Sequence, residues 1–166
     1  MKIATLTDLL TEELKDLYSA ENQLIKALPR MAKAAESEDL RTAFENHLEE
    51  TRTHAERIEK IAAEMDIKPG GKKCVGMEGL IEEGKELLQA DIEPEPLEAG
   101  LIGAAQRVEH YEIAAYGTAR AFAQQLGLIR VADMLNQTLE EEKKANELLT
   151  QLAENQINVQ AAMSHS

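Results

Sequence analysis

Four stretches of the chain carry the three-then-four spacing of apolar side chains that marks an amphipathic helix. The first runs from Leu6 to about Ala35, with Thr5 or Thr7 as cap, Asp8 in the opening turn, and a seam of Leu10, Leu14, Leu17, Glu21, Leu24, Leu28 and Met31. Pro29 falls inside that seam, and since Met31 keeps the register a kink is expected there, with the helix continuing. Ser37-Glu38-Asp39 opens the second helix, carried by Leu40, Phe44, Leu48, Thr51, Ala55, Ile58, Ala62 and Met65, with Pro69-Gly70-Gly71 as its stop.

Residues 67–95 read differently: a short amphipathic helix around Met77 to Gln89, then the extended run Asp91-Ile92-Glu93-Pro94-Glu95-Pro96. A third helix is expected from about Pro96 to Leu126, before Gly127, on the seam Leu101, Ala105, Val108, Glu112, Ala115, Ala119 and Phe122. The fourth spans Ile129 to about Ile157, with 158–166 as a frayed tail. A shift of 91 residues lays Glu21 on Glu112 and His47-Leu48-Glu49-Glu50 on Thr138-Leu139-Glu140-Glu141. The expected fold is therefore all-α, one domain over 1–166, with hairpins 5–66 and 96–157 joined by the crossover 67–95. That is the ferritin-like form of four-helix bundle.

Composition supports helices and narrows the partners. Aromatic residues make up 3%, Trp is absent, and 166 residues suffice for one core. Lys plus Arg number 18 against 31 Asp plus Glu, a formal charge of -13, which repels nucleic acid and anionic membrane surfaces. Cys74 is the single cysteine, so no internal disulfide or thiolate metal site can form within one chain, and a reducing compartment fits. No signal-like start and no stretch of roughly 18 apolar residues is present, so a cytoplasmic protein is expected.

The chemistry sits in the seams. An ionised carboxylate in an apolar helix face costs several kcal/mol unless protonated, paired or bound to metal. Glu21 and Glu112 both hold such positions, and each is followed 29 residues later by another glutamate, Glu50 or Glu141. Four carboxylates balance two divalent ions, so iron or manganese, two per chain, is the expected cofactor. Neither Glu50 nor Glu141 has a histidine three residues on. His54 and His47 both fall within roughly 60° of Glu50 on the helix surface, and either could supply an imidazole. Glu109, one turn before Glu112, completes a set of Glu21, Glu50, His54, Glu109, Glu112 and Glu141. Glu142 continues its seam about as well as Glu141, so periodicity leaves both open, and the repeat favours Glu141. Tyr18 and Tyr116 lie one turn from Glu21 and Glu112 and could orient them. The plainer alternatives are a shifted helix phase, protonated acids, or ion pairs with Arg52 or Arg107. His110 and His165 read as solvated, and Met31, Met65, Met77 and Met134 as core filler.

At Tyr18-Ser19-Ala20-Glu21-Asn22-Gln23-Leu24, His47-Leu48-Glu49-Glu50-Thr51, Cys74-Val75-Gly76-Met77-Glu78-Gly79-Leu80-Ile81-Glu82-Glu83, Val108-Glu109-His110-Tyr111-Glu112-Ile113-Ala114 and Thr138-Leu139-Glu140-Glu141-Glu142-Lys143, the chain resembles the YciF/YciE family of bacterial stress proteins. The resemblance covers nearly its whole length. It implies a ferritin-like bundle related to rubrerythrin, a homodimer and a link to stress responses, with no established substrate. The rubredoxin module of rubrerythrin is absent, since one cysteine cannot build it. Three functions compete: a di-metal carboxylate protein reacting with peroxide or oxygen, a structural or partner-binding protein whose metal only neutralises buried acids, and, ranked last, a storage cage.

Overall fold

The computed structural model describes residues 3–163, and within them five long helices and a short terminal one follow in order. Helix α1 spans Leu6–Ala34 and starts at a capping box. Thr5 Oγ1 accepts the Asp8 N–H at 3.1 Å, while the Asp8 carboxylate accepts the Thr5 N–H at 2.9 Å. The helix is unbroken through Pro29. Helix α2, Glu38–Glu64, is capped by Ser37 and ends where Asp66 takes a left-handed φ of 53°, several residues before the Pro-Gly-Gly stop.

Helix α3, Val75–Gln89, starts two residues before Met77 because the Cys74 thiol accepts the Met77 N–H and so caps it. Helix α4, Pro94–Gln125, starts at Pro94 in place of Pro96, since a proline is equally well placed in either first-turn position. Gly127, at φ 72°, makes the turn into α5, Ile129–Leu152. A π-helical turn, Ala153–Ile157, then leads into α6, Asn158–Met163. The expected fraying of 158–166 is thus replaced by helix as far as Met163. Residues 164–166 lie outside the described residues, and His165 with them.

Two apolar clusters fix how the helices run. One gathers Leu24 and Leu28 of α1, Leu40 and Phe44 of α2, Leu101 and Ile102 of α4 and Leu149 of α5. The other gathers Leu10 and Leu14, Ile58 and Ile61, Ala119 and Ala123, and Val131 and Leu135. Each hairpin therefore runs antiparallel, α1 and α4 are antiparallel to each other, and α2 and α4 are parallel. The connection from α2 to α4 must return along the whole bundle, and α3 makes that return against α1 and α4. This is the connectivity of the ferritin-like bundle. Between the two clusters lies a buried polar layer.

α3 is anchored by hydrogen bonds as well as by packing. The Cys74 N–H donates to Ser19 Oγ at 2.9 Å, and the Gln23 amide donates to the Cys74 carbonyl at 3.0 Å. The hydroxyl end of the Tyr111 ring packs against Gly76, where a Cβ would stand 2.6 Å from Cε2, and the hydroxyl donates to Asp16 at 2.6 Å.

Candidate metal centre

The polar layer is built one turn at a time from four helices. Glu21 comes from α1, His47 and His54 from α2, Glu109 and Glu112 from α4, and Glu142 from α5, and every one of these side chains is buried. The buried faces of all four helices carry three-and-four spacing through this level, so Glu21, Thr51, Glu112 and Glu142 meet there; beyond Glu112 the buried face of α4 moves to Tyr116, Ala119 and Ala123, leaving Ala115 and Phe122 half-buried.

Two donor groups result. In the first, one ligand atom each from His47, Glu109, Glu112 and Glu142 lies within 4.8 Å of the others; in the second, Glu21, His54 and Glu142 do the same. Glu142 belongs to both. Its Oε1 stands 2.9 Å from His54 Nδ1, and its Oε2 stands 3.9 Å from His47 Nε2, so one oxygen faces each group. His47 Nε2 also lies 3.0 Å from Glu109 Oε1, and His54 Nδ1 lies 3.5 Å from Glu21 Oε1.

These close approaches are mostly not hydrogen bonds. Among the described residues, both ring nitrogens of His47, His54 Nδ1, both oxygens of Glu112 and of Glu142, and one oxygen each of Glu21 and Glu109 have no hydrogen-bond partner. Buried polar atoms are normally satisfied, and nine orphans in one layer are far beyond ordinary practice. Four carboxylates and two imidazoles, once they give up their protons, offer a nitrogen and oxygen donor set that could hold a metal ion.

Electrostatics of the metal-free layer points the same way. Burial, then the charges of Glu142, Glu21 and Glu109, pushes Glu112 well above the usual carboxylate range. Burial likewise raises Glu21, and raises Glu142 to about 7. Burial opposes protonation of His54, but its contacts with Glu142 and Glu21 prevail and hold it at about 10. In His47 burial is similarly outweighed by Glu109, and the ring stays protonated well above its ordinary range. The layer therefore holds protons on Glu112 and both imidazoles above the pH at which free side chains lose them.

A second set of contacts aims the donors. The Tyr116 hydroxyl, itself buried, donates to Glu21 Oε1. His54 Nε2 lies 2.9 Å from Glu141 Oε2, so the ring keeps a proton on Nε2 when it loses the one on Nδ1, which faces inward. Glu141 is in turn held by Arg57 Nη1 at 2.8 Å, and that guanidinium also donates to Thr138 Oγ1. Glu50 Oε2 stands 3.5 Å behind His47 Nδ1.

The structure thus brings Glu21, His54, Glu109 and Glu112 together as the sequence pattern anticipates, adds His47 and Glu142, and leaves Glu50 and Glu141 at the rim. The Glu50 side chain is 51% exposed and that of Glu141 28%, against 0% for Glu142. Under the 91-residue shift, the pair that faces inward is Thr51 and Glu142, both buried. Glu50 and Glu141 occupy the next position round the helix. Tyr18 sits away from the layer and donates to Glu59 at 2.7 Å. Of the two arginines weighed as ion-pair partners, Arg52 pairs with exposed Glu49 and Arg107 is exposed; Arg57, which the sequence pattern did not single out, reaches the layer's rim.

Fold and layer together define an all-α bundle with a buried carboxylate–histidine core. The chain belongs to the family described as Domain of unknown function (DUF892), whose model matches residues 5–162. It is 47% identical over 162 residues to Protein YciF of Escherichia coli strain K12, covering 97% of this chain and 98% of that protein. The crystal structure of the E. coli stress protein YciF matches 94% of this chain and 99% of its own length at a TM-score of 0.91. YcfI from Rhodopseudomonas palustris, suggested to be a structural protein, is 41% identical with a TM-score of 0.87, covering 90% of this chain and 95% of that one. A protein from Xanthomonas campestris pv. campestris shares the fold at 20% identity and a TM-score of 0.76, over 95% and 96% of the two chains. The YciF-type resemblance carried by the sequence motifs therefore holds.

Proposed function

We propose that this chain is a stress-associated protein holding a dinuclear iron or manganese centre in its polar layer, and that the centre reacts with peroxide or oxygen. The observation that supports it is the position of Glu142, which faces one oxygen into each of the two donor groups. Glu21, His54 and Glu142 would hold one ion, and His47, Glu109, Glu112 and Glu142 the other. Such a pair of ions, when bound, supplies electrons or polarises an oxygen ligand.

The protein's own contribution is orientation and proton management. Tyr116 fixes the Glu21 rotamer, and Glu141 with Arg57 fixes the His54 ring. Loading must expel the protons that Glu112, Glu142 and both histidines carry in the metal-free protein, so uptake should release acid. The stress role comes from the description of the E. coli relative. We also propose a homodimer rather than a cage, in the cytoplasm; light scattering at twice the mass of one chain tests this. No described helix is long and apolar enough to cross a membrane.

Elemental analysis of protein purified without chelator, beside a Glu21→Ala, Glu112→Ala variant, tests the proposal. About two Fe or Mn per chain, lost in the variant, is expected. A metal-free wild type would shift the reading to a structural or partner-binding protein. The contacts of His47 and His54 with the buried acids, and the description of YcfI, favour that second reading.

A further inference from the structure

A cavity of about 180 Å³ lies beside the polar layer, on the side of Leu24, Leu28 and Phe44. Its origin is in the sequence. Ala43 of α2, Ala105 of α4 and Ala145 of α5 face it, and three methyl groups at one level of a four-helix bundle leave space that larger side chains would fill. Exposed Asn46, Glu50, Lys144 and Leu148 place its mouth between α2 and α5. Its inner end is formed by His47 and Glu109.

The two ends differ in chemistry. Most of the wall is apolar, whereas His47 and Glu109 are 8% and 1% exposed and present nitrogens and an oxygen without hydrogen-bond partners. An engineered apolar cavity of about 150 Å³ takes up benzene, so this one suits a body of similar size. A carboxylate head would be driven against Glu109 in a chain of charge -13. An ammonium head has three N–H donors to place and meets one unpartnered carboxylate oxygen, Glu109 Oε2, in a wall that is otherwise mostly apolar. An O–H head donates to Glu109 and accepts from His47.

We propose that this cavity binds a small uncharged alkyl or aryl molecule bearing one O–H head, an alcohol or an organic hydroperoxide, with the head at His47 and Glu109 and the body along Ala43, Ala105 and Ala145. It deepens the metal-centre reading, on which the meaning of the head's position rests, by naming the class of molecule the centre meets; the binding itself needs only the cavity.

Calorimetric titration of the full chain with 1-hexanol, tert-butyl hydroperoxide and hexanoate tests it, on protein as purified and, for the hydroperoxide, after chelator treatment. Saturable binding of the first two, at least about tenfold tighter than hexanoate, is expected. Ala43→Leu and Ala145→Leu, on opposite walls, should each weaken it at least about tenfold by filling the space, with melting curves showing which variants remain folded. A preference between hexanol and the hydroperoxide identifies which source of the O–H head the cavity suits. No saturable binding of either, equal binding of hexanoate, or binding untouched by the folded variants overturns the proposal. Metal analysis of the same samples separates the two claims. Metal without alcohol binding removes the cavity's role and leaves the centre, while alcohol binding without metal does the reverse.

Discussion

Replacing Glu112 with methionine should make the metal-free protein more stable and the metal-loaded protein less so. Both Glu112 oxygens are buried, no described donor bonds them, and the surrounding acids all press against ionisation. An unmet buried polar group costs about 1–3 kcal/mol, and methionine keeps the length of the side chain while filling the same space with a thioether. The metal-free gain is thus about 2 kcal/mol at pH 8. In a chain of this size each kcal/mol moves the melting temperature by about 2–4 °C, so the chelated variant should melt about 4–8 °C above wild type. Metal at about a thousand times its dissociation constant adds about 4 kcal/mol to the protein that binds it, so Mn²⁺ should reverse the order. Differential scanning calorimetry with chelator and with Mn²⁺ reads both. A chelated variant that melts below wild type would show Glu112 to be productively bonded without metal, and equal stabilisation of both by Mn²⁺ would remove it from the donor set.

Other outcomes follow from the same layer. Glu142 ionises at about 7 when folded against an ordinary 4.5, and His54 at about 10 against 6.5. Both are raised, so their stabilisation is complete below the ordinary values and is lost as pH climbs through the folded ones; chelated protein should melt lower at about pH 9 than at about pH 5, and a rise would contradict this. Glu141→Gln should weaken metal binding about 10–100-fold yet allow full loading at excess metal, whereas Glu142→Gln should abolish dinuclear loading; equal losses by elemental analysis would contradict the division between rim and layer. Gly76→Ala pushes a methyl to 2.6 Å from the Tyr111 ring and should cost about 1–3 kcal/mol in urea unfolding, with an unchanged midpoint as the contrary result.

Helices, crossover and the two central glutamates were legible because seam periodicity and burial are the same physical fact. Leu10 to Met31 and Leu101 to Phe122 are clean stripes, and Glu21 and Glu112 are where the structure buries them. The second and fourth helices misled for a specific reason. Identical residues at Glu50 and Glu141 drew the repeat onto a pair that faces outward, since two aligned glutamates look more alike than a threonine and a glutamate. The stripe Leu40, Phe44, His47, Thr51, His54, Ile58, Ile61 has the same 4,3,4,3,4,3 spacing, as does Val131, Leu135, Thr138, Glu142, Ala145, Leu149, Leu152. Those stripes carry both histidines and bury Glu142 rather than Glu141. Reading Leu48, Ala55 and Ala62 as the α2 seam shifted its phase, because apolar residues flank the true stripe on one side. Tyr116 is legible as an orienting group from its place one turn after Glu112, but that it bonds Glu21 and that Glu141 bonds His54 depend on distances across helices, which periodicity does not encode.

In the proposed centre Glu142 joins two metal positions in one layer. Anomalous scattering from crystals grown with Mn²⁺ or Fe²⁺ locates them. Two peaks are expected, one between Glu142 and the Glu21–His54 pair and one between Glu142 and the His47–Glu109–Glu112 group. A single peak, or metal held at Glu50 and Glu141 with the layer empty, would contradict it.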